Sequence, residues 1–145
     1  MTTIGRHLIV EFYDCDRAVL DDVARIRAMA LAATREVKAT IMGEIFQRYE
    51  PQGVSGVVLI AESHLSIHTW PESAYVAADI FTCGGLDPRP GVAFLGRELR
   101  AASSRVQEIL RGIPGDIAQQ RALMPSDVVV ISELGDAREL RAPTA

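Results

Sequence analysis

Val54-Ser55-Gly56-Val57-Val58-Leu59-Ile60-Ala61-Glu62-Ser63-His64-Leu65-Ser66-Ile67-His68-Thr69-Trp70-Pro71-Glu72 holds two β-rich runs with a short polar step between them. Val54–Ala61 reads as one strand and Leu65–Thr69 as the next, and Trp70-Pro71-Glu72 bends the chain again. Glu62, Ser63 and His68 put a carboxylate, a hydroxyl and an imidazole within seven residues, where the chain changes direction. Working outward, Ala74–Thr82 reads as a further strand. Upstream, His7–Tyr13 is β-rich, and Asp14 and Asp16 end it with side chains suited to capping a helix. Val19, Val23, Ile26, Ala30, Ala33 and Val37 recur at alternating spacings of four and three, which predicts one continuous helix. Ala39–Phe46 is strand-like, and Pro51-Gln52-Gly53 supplies a turn. Downstream, Asp87-Pro88 precedes a helix with the stripe Val92, Leu95, Leu99 and Ala102, and Val106–Leu110 reads as a strand. Beyond Gly112 one β-rich run, Val128–Ser132, stands out, and the residues from Gly135 read as a mobile tail.

Two helices among five or six strands, each helix with one apolar stripe, predict an α/β chain of the α+β type. Its antiparallel sheet carries helices on one face only. Several strand residues on the other face are apolar, so a second copy of the chain is the economical cover. The expected architecture is a two-layer sandwich whose sheets pack across a homodimer.

The chain has 145 residues, 48% of them hydrophobic, enough for one core and too few for two ordinary domains. A net charge of −4 and a pI near 5.3 argue against a general nucleic-acid binder, because phosphate contacts need a basic face. Cys15 and Cys83 are too few for a disulfide framework and read as free thiols in a reducing compartment. No apolar run approaches the ~20 residues needed to span a bilayer. No signal peptide is visible. The expectation is a cytoplasmic protein with neither a nucleic-acid nor a membrane partner.

The Glu62–Ser63 step reads as a peptide bond prepared to break itself. The Ser63 hydroxyl can attack the carbonyl of Glu62 and turn an amide into an ester, a step favoured by local backbone strain and by donors to the oxyanion. A base that removes the serine α-proton then expels the Glu62 carboxylate, and the resulting dehydroalanine tautomerises and hydrolyses to a pyruvoyl group. His68 is the nearby candidate base, since imidazole titrates near neutrality. Strict alternation puts Ser63 and His68 on opposite faces of a strand, so this reading requires Ser63 to sit in a bend at the strand's start. Taken singly, each residue also fits a plain role: Glu-Ser as a turn, His68 as a hydrogen-bonded strand residue, Cys83 as a small buried hydrophobe.

The ordered set is more specific. Gly5-Arg6-His7-Leu8, Pro51-Gln52-Gly53-Val54-Ser55-Gly56, Ala61–Glu72 and Phe81-Thr82-Cys83-Gly84 closely resemble the short prokaryotic S-adenosylmethionine decarboxylase proenzymes, over roughly Thr3 to Ile113. The resemblance implies a single decarboxylase domain over residues 1–115, cut into chains 1–62 and 63–145, with residues 116–145 as an extension. It implies that Ser63 becomes the pyruvoyl group that forms a Schiff base with substrate, and that Glu62 ends the shorter chain. By the same resemblance His68 is the proton acceptor in processing, Ser55 assists processing and Cys83 is the proton donor in catalysis. A thiol suits that last role, being largely protonated at neutral pH. The implied reaction converts S-adenosylmethionine to its decarboxylated form and CO2, for spermidine and other polyamines. The active sites are expected at the interface of a homodimer of cleaved protomers.

Tyr49, Trp70 and Glu72 are the candidate substrate-binding residues: two aromatic platforms and a carboxylate just after the Trp-Pro bend. Tyr49-Glu50 departs from the family pattern, which commonly has Phe before a small polar residue, and Glu50 adds a negative charge near the site. Three other readings compete with this one. A pyruvoyl-dependent ornithine or arginine decarboxylase would use the same processing residues, and Glu50 would suit a second cationic end. A non-catalytic partner homologue is the second. A metal module drawing on His64, His68, Cys15 and Cys83 is the third. His64 and His68 lie ~13 Å apart on an extended strand, too far for one ion, so no metal is expected.

Overall fold

The computed structural model describes residues 3–119 and 128–131. Seven antiparallel strands form one sheet: β1 Gly5–Tyr13, β2 Thr40–Arg48, β3 Val54–Ala61, β4 Ser63–Trp70, β5 Tyr75–Cys83, β6 Ser103–Arg111 and β7 Val128–Ile131. Their order across the sheet is β2-β3-β4-β5-β1-β6-β7. The Val54–Trp70 hairpin is β3–β4, joined to β5 by a 3-10 turn at Pro71–Ser73.

The helices are α1 Arg17–Leu20, α2 Val23–Glu36, α3 Arg89–Glu98 and α4 Pro114–Gln119. The single helix expected over Val19 to Val37 is broken between α1 and α2, because two aspartates intervene. Asp22 caps α2 by accepting from the Arg25 amide at 3.1 Å. Asp21 turns away to accept the Gly53 amide at 2.9 Å and Arg48 Nη2 at 2.8 Å. Asp16 caps α1 through the Ala18 amide, whereas Asp14 takes a left-handed φ of 51° and caps no helix among the described residues. The last expected strand is longer than its apolar run, because its polar ends pair with β1 from Gly5 to Tyr13.

Period-2 alternation gives the sheet two unlike faces. Leu8, Val10, Phe12, Val58, Leu65, Ile67, Val76, Ile80 and Val106 are all at most 1% exposed. With Ile26, Ala30 and Ala33 of α2 and Val92 and Leu95 of α3 they form one core. Each such side chain contributes about 1.5–3 kcal/mol by leaving water. The helices lie close because Gly91 has no side chain: a Cβ there would meet Val37 Cγ2 at 2.7 Å. On the opposite face Ile9, Tyr13, Val57, Leu59 and Trp70 remain 37–55% exposed. The segment expected to contain a tail strand pairs β7 with β6 through Val106–Ile131 to Ile109–Val128. The mobile tail expected from Gly135 lies outside the described residues.

Candidate active site

Ser63 is the first residue of β4, directly after the β3–β4 reversal, and its φ is +134°. L-residues rarely occupy that region, and holding one there costs of order 1–3 kcal/mol. Ser63 thus departs from regular strand geometry at the start of β4, as expected, though this does not bring it to His68. Ser63 sits opposite Thr82 of β5, and Cys83 follows one residue later, opposite Gly5. Neighbouring strands ~4.8 Å apart and a step of ~3.4 Å bring Ser63 and Cys83 together at one end of the sheet. Cys83 continues the half-buried, open-face row of β5, while Cys15 is buried and burial pushes its thiol up to about 12.

Ser55 and His68 face each other in the β3–β4 register, and the Ser55 hydroxyl lies 2.8 Å from His68 Nδ1. Around them runs an aromatic row. His68 and Trp70 have ring centroids 6.3 Å apart, Trp70 and Tyr75 5.3 Å, and Tyr75 and Tyr13 5.7 Å. Glu11 accepts from both Tyr13 and Tyr75 hydroxyls, at 2.9 and 3.2 Å, and both phenols are raised. The Glu11 hydrogen bond dominates at Tyr13, and burial dominates at Tyr75. Tyr49 and Glu72 are exposed at this same end. Glu50 is held by Arg48 Nη1 at 2.8 Å on the surface, so its charge already has a partner and points to no second cationic group.

The two groups of residues do not meet within one chain. Ser63 and His68 stand at opposite ends of β4, five residues or ~16 Å apart along an extended strand. Sequence proximity made them look local, and the extended conformation separates them.

Between the two ends lies a cluster whose centre, Asp79, the sequence reading missed. His7 Nε2 and His64 Nε2 each approach Asp79 Oδ2 at 2.6 Å, and the Ser66 hydroxyl donates to Asp79 Oδ1. A carboxylate only accepts, so both rings present Nε2–H. Burial alone would raise the Asp79 carboxyl, but the hydrogen bonds from His7, Ser66 and His64 outweigh it and hold the value at about 2. An open cleft of about 590 Å³ runs along this face, lined among others by His7, Glu11, Ser66, His68, Tyr75 and Asp79. Residues 7 and 79 are remote in sequence, and only their shared strand parity could have marked them.

Residues 6–112 match the family described as S-adenosylmethionine decarboxylase. The chain is 50% identical over 113 residues to the S-adenosylmethionine decarboxylase proenzyme of Thermotoga maritima and 49% to that of Thermosipho africanus. Each alignment covers 77% of this chain and 87% of the relative. Among solved structures, the adenosylmethionine decarboxylase of Aquifex aeolicus superposes with a TM-score of 0.73 at 32% identity, over 78% of this chain and 94% of that one. A Trypanosoma brucei AdoMetDC monomer, 16% identical with a TM-score of 0.55, shares the fold. Fold, family match and relatives agree that the chain belongs to the S-adenosylmethionine decarboxylase family.

Proposed function

We propose that this chain is a self-processing proenzyme that decarboxylates S-adenosylmethionine, and that its working form is a face-to-face homodimer. The observation that carries the reading is Ser63, in a strained backbone conformation at a hairpin and beside Cys83. The Ser63 hydroxyl attacks the Glu62 carbonyl, forming an ester and relieving the backbone of its strained conformation. A base takes the Ser63 α-proton, the Glu62 carboxylate leaves, and water replaces the nitrogen, which departs as ammonia. Residues 1–62 and 63–145 are the expected products. The resulting pyruvoyl group supplies an electron sink for the loss of CO2 from an amine-bearing carboxylate. Cys83 holds the proton returned to the substrate carbon.

The base must come from the other end of a sheet. A two-fold axis through the open face would lay that end of one protomer over the opposite end of its partner. His68, oriented by Ser55, would then serve the partner's Ser63, and Tyr49, Trp70 and Glu72 would line the same composite site. Exposed Ile9, Val57 and Leu59 supply apolar surface for this contact. The names of the relatives favour S-adenosylmethionine over ornithine or arginine. A place in polyamine synthesis follows from that substrate. No helix among the described residues is long and apolar enough to cross a membrane, and cytoplasmic residence belongs to this proposal.

The test is the intact mass of the denatured protein beside Ser63→Ala. Two fragments split between Glu62 and Ser63, the larger with a blocked N-terminus, are expected from the wild type and none from the variant. A single uncut wild-type chain would overturn the proposal and favour a non-catalytic partner homologue.

A further inference from the structure

Cleavage before Ser63 creates a mechanical problem at the cofactor. The group made from Ser63 is carried on the backbone nitrogen of His64, and the covalent tie to β3 is gone. New chain ends fray unless something holds them. His64 is the first unmodified residue of the new chain, and its side chain is already held. Its Nε2–H reaches Asp79 Oδ2 at 2.6 Å, and the same oxygen takes His7 Nε2 at 2.6 Å. The second oxygen of Asp79 takes the Ser66 hydroxyl, two residues further along β4. One carboxylate thus fastens β4, β5 and β1 together, next to the cleavage point. Phe81 closes the cluster, with ring centroids 5.2 Å from His7 and 6.1 Å from His64.

We propose that Asp79, braced by His7, is a positioning residue that holds the pyruvoyl-bearing end of β4 in place through His64 once the chain has been cut. The inference rests on the decarboxylase reading above and adds the device that keeps its cofactor aimed. Before cleavage the continuous β3–β4 hairpin holds residue 64, so the clamp is redundant. After cleavage β3 and β5 still flank residue 64, and the clamp adds the side-chain hydrogen bond that fixes the new terminus against them.

The same three side chains have ligand atoms within 4.8 Å of one another, which invites a metal ion instead. The spacing argues otherwise. Two ligands each ~2.1 Å from a tetrahedral ion stand more than ~3 Å apart, whereas both imidazole–carboxylate separations are 2.6 Å. Those are charge-assisted hydrogen bonds.

The test compares Asp79→Ala in two backgrounds: the cleaved protein and the uncuttable Ser63→Ala protein. Cleavage yield is read by mass, turnover per cleaved chain by CO2 release, and order by amide hydrogen exchange over residues 64–66. Asp79→Ala is expected to cleave, then to lose kcat per cleaved chain by roughly tenfold or more through misplacement of the reacting group. Exchange at 64–66 should rise in the cleaved protein and change little in the Ser63→Ala background. Asp79→Asn, which keeps one acceptor for an imidazole, should restore part of kcat. His7→Phe provides a second variant that leaves residues 64 and 79 intact and should shift kcat and exchange in the same direction by less. Equal exchange in both backgrounds, or unchanged turnover, overturns the clamp while leaving the decarboxylase reading standing. Stoichiometric zinc in the wild type whose removal reproduces the Asp79→Ala defect also overturns the clamp. Uncut wild-type protein overturns the parent reading, and the clamp falls with it.

Discussion

At one end of the open sheet face Ser63 leaves a hairpin at φ +134° beside Cys83; at the other, Ser55 and His68 pair at 2.8 Å within an aromatic row. The first end holds the Glu62–Ser63 bond, where cleavage is proposed, and a thiol. The second holds an imidazole paired with a hydroxyl and aromatic surfaces suited to a flat ring and a cation. Neither end is a complete site, and ~16 Å of extended strand keeps them apart. This division is the reason for proposing an active unit larger than one chain. In the proposed homodimer the apolar, partly exposed sheet face would join two half-sites twice over.

The largest effect is expected at His68. His68→Ala removes the processing base and should slow cleavage by ~10² to 10⁴-fold, the usual worth of a positioned general base. Quantifying fragments against time after synthesis measures it, and cleavage at the wild-type rate would remove His68 from the mechanism. Cys83→Ala sharpens the other end. It should mature and then decarboxylate about 10²-fold more slowly, because the general acid acts only on substrate. Failure to mature would instead give the thiol a part in processing.

The smallest effect lies midway, at Asp79. Its carboxyl is held near 2 in the folded chain, against about 3.9 when unfolded. The folded value is depressed, so the stabilisation is complete above about pH 4 and is lost as pH falls toward 2. The full shift would be worth on the order of 2 kcal/mol, and solvent screening of this part-exposed carboxylate reduces it to about 1 kcal/mol. Denaturant midpoints of wild type and Asp79→Asn, compared at pH 4.5 and pH 2, should converge at the lower value. An unchanged gap would contradict the ionised, triply hydrogen-bonded carboxylate.

Much of this fold is legible in the chain itself. The Val54–Trp70 hairpin announces itself through β-rich runs and a polar step, and the stripe from Val19 to Val37 gives α2. The break at Asp21-Asp22 hides because capping aspartates interrupt a helix without disturbing its apolar period. The site is legible as a motif but not as a geometry. Glu62, Ser63 and His68 are read together because they are near in sequence, while a strand carries His68 away at ~3.3 Å per residue. His7 and Asp79 leave no local trace, since their meeting depends on β1 pairing with β5 across most of the domain.

The most direct test of the divided site is co-expression of differently tagged Ser63→Ala and His68→Ala chains, followed by intact-mass analysis of the mixed dimers. Each variant alone should stay uncut, or nearly so. In the mixture the His68→Ala chain, which keeps Ser63, should be cleaved by the base supplied from its partner, and the Ser63→Ala chain should remain whole. Mixed dimers in which neither chain is cut would contradict the account and place the processing base within the same protomer as the serine.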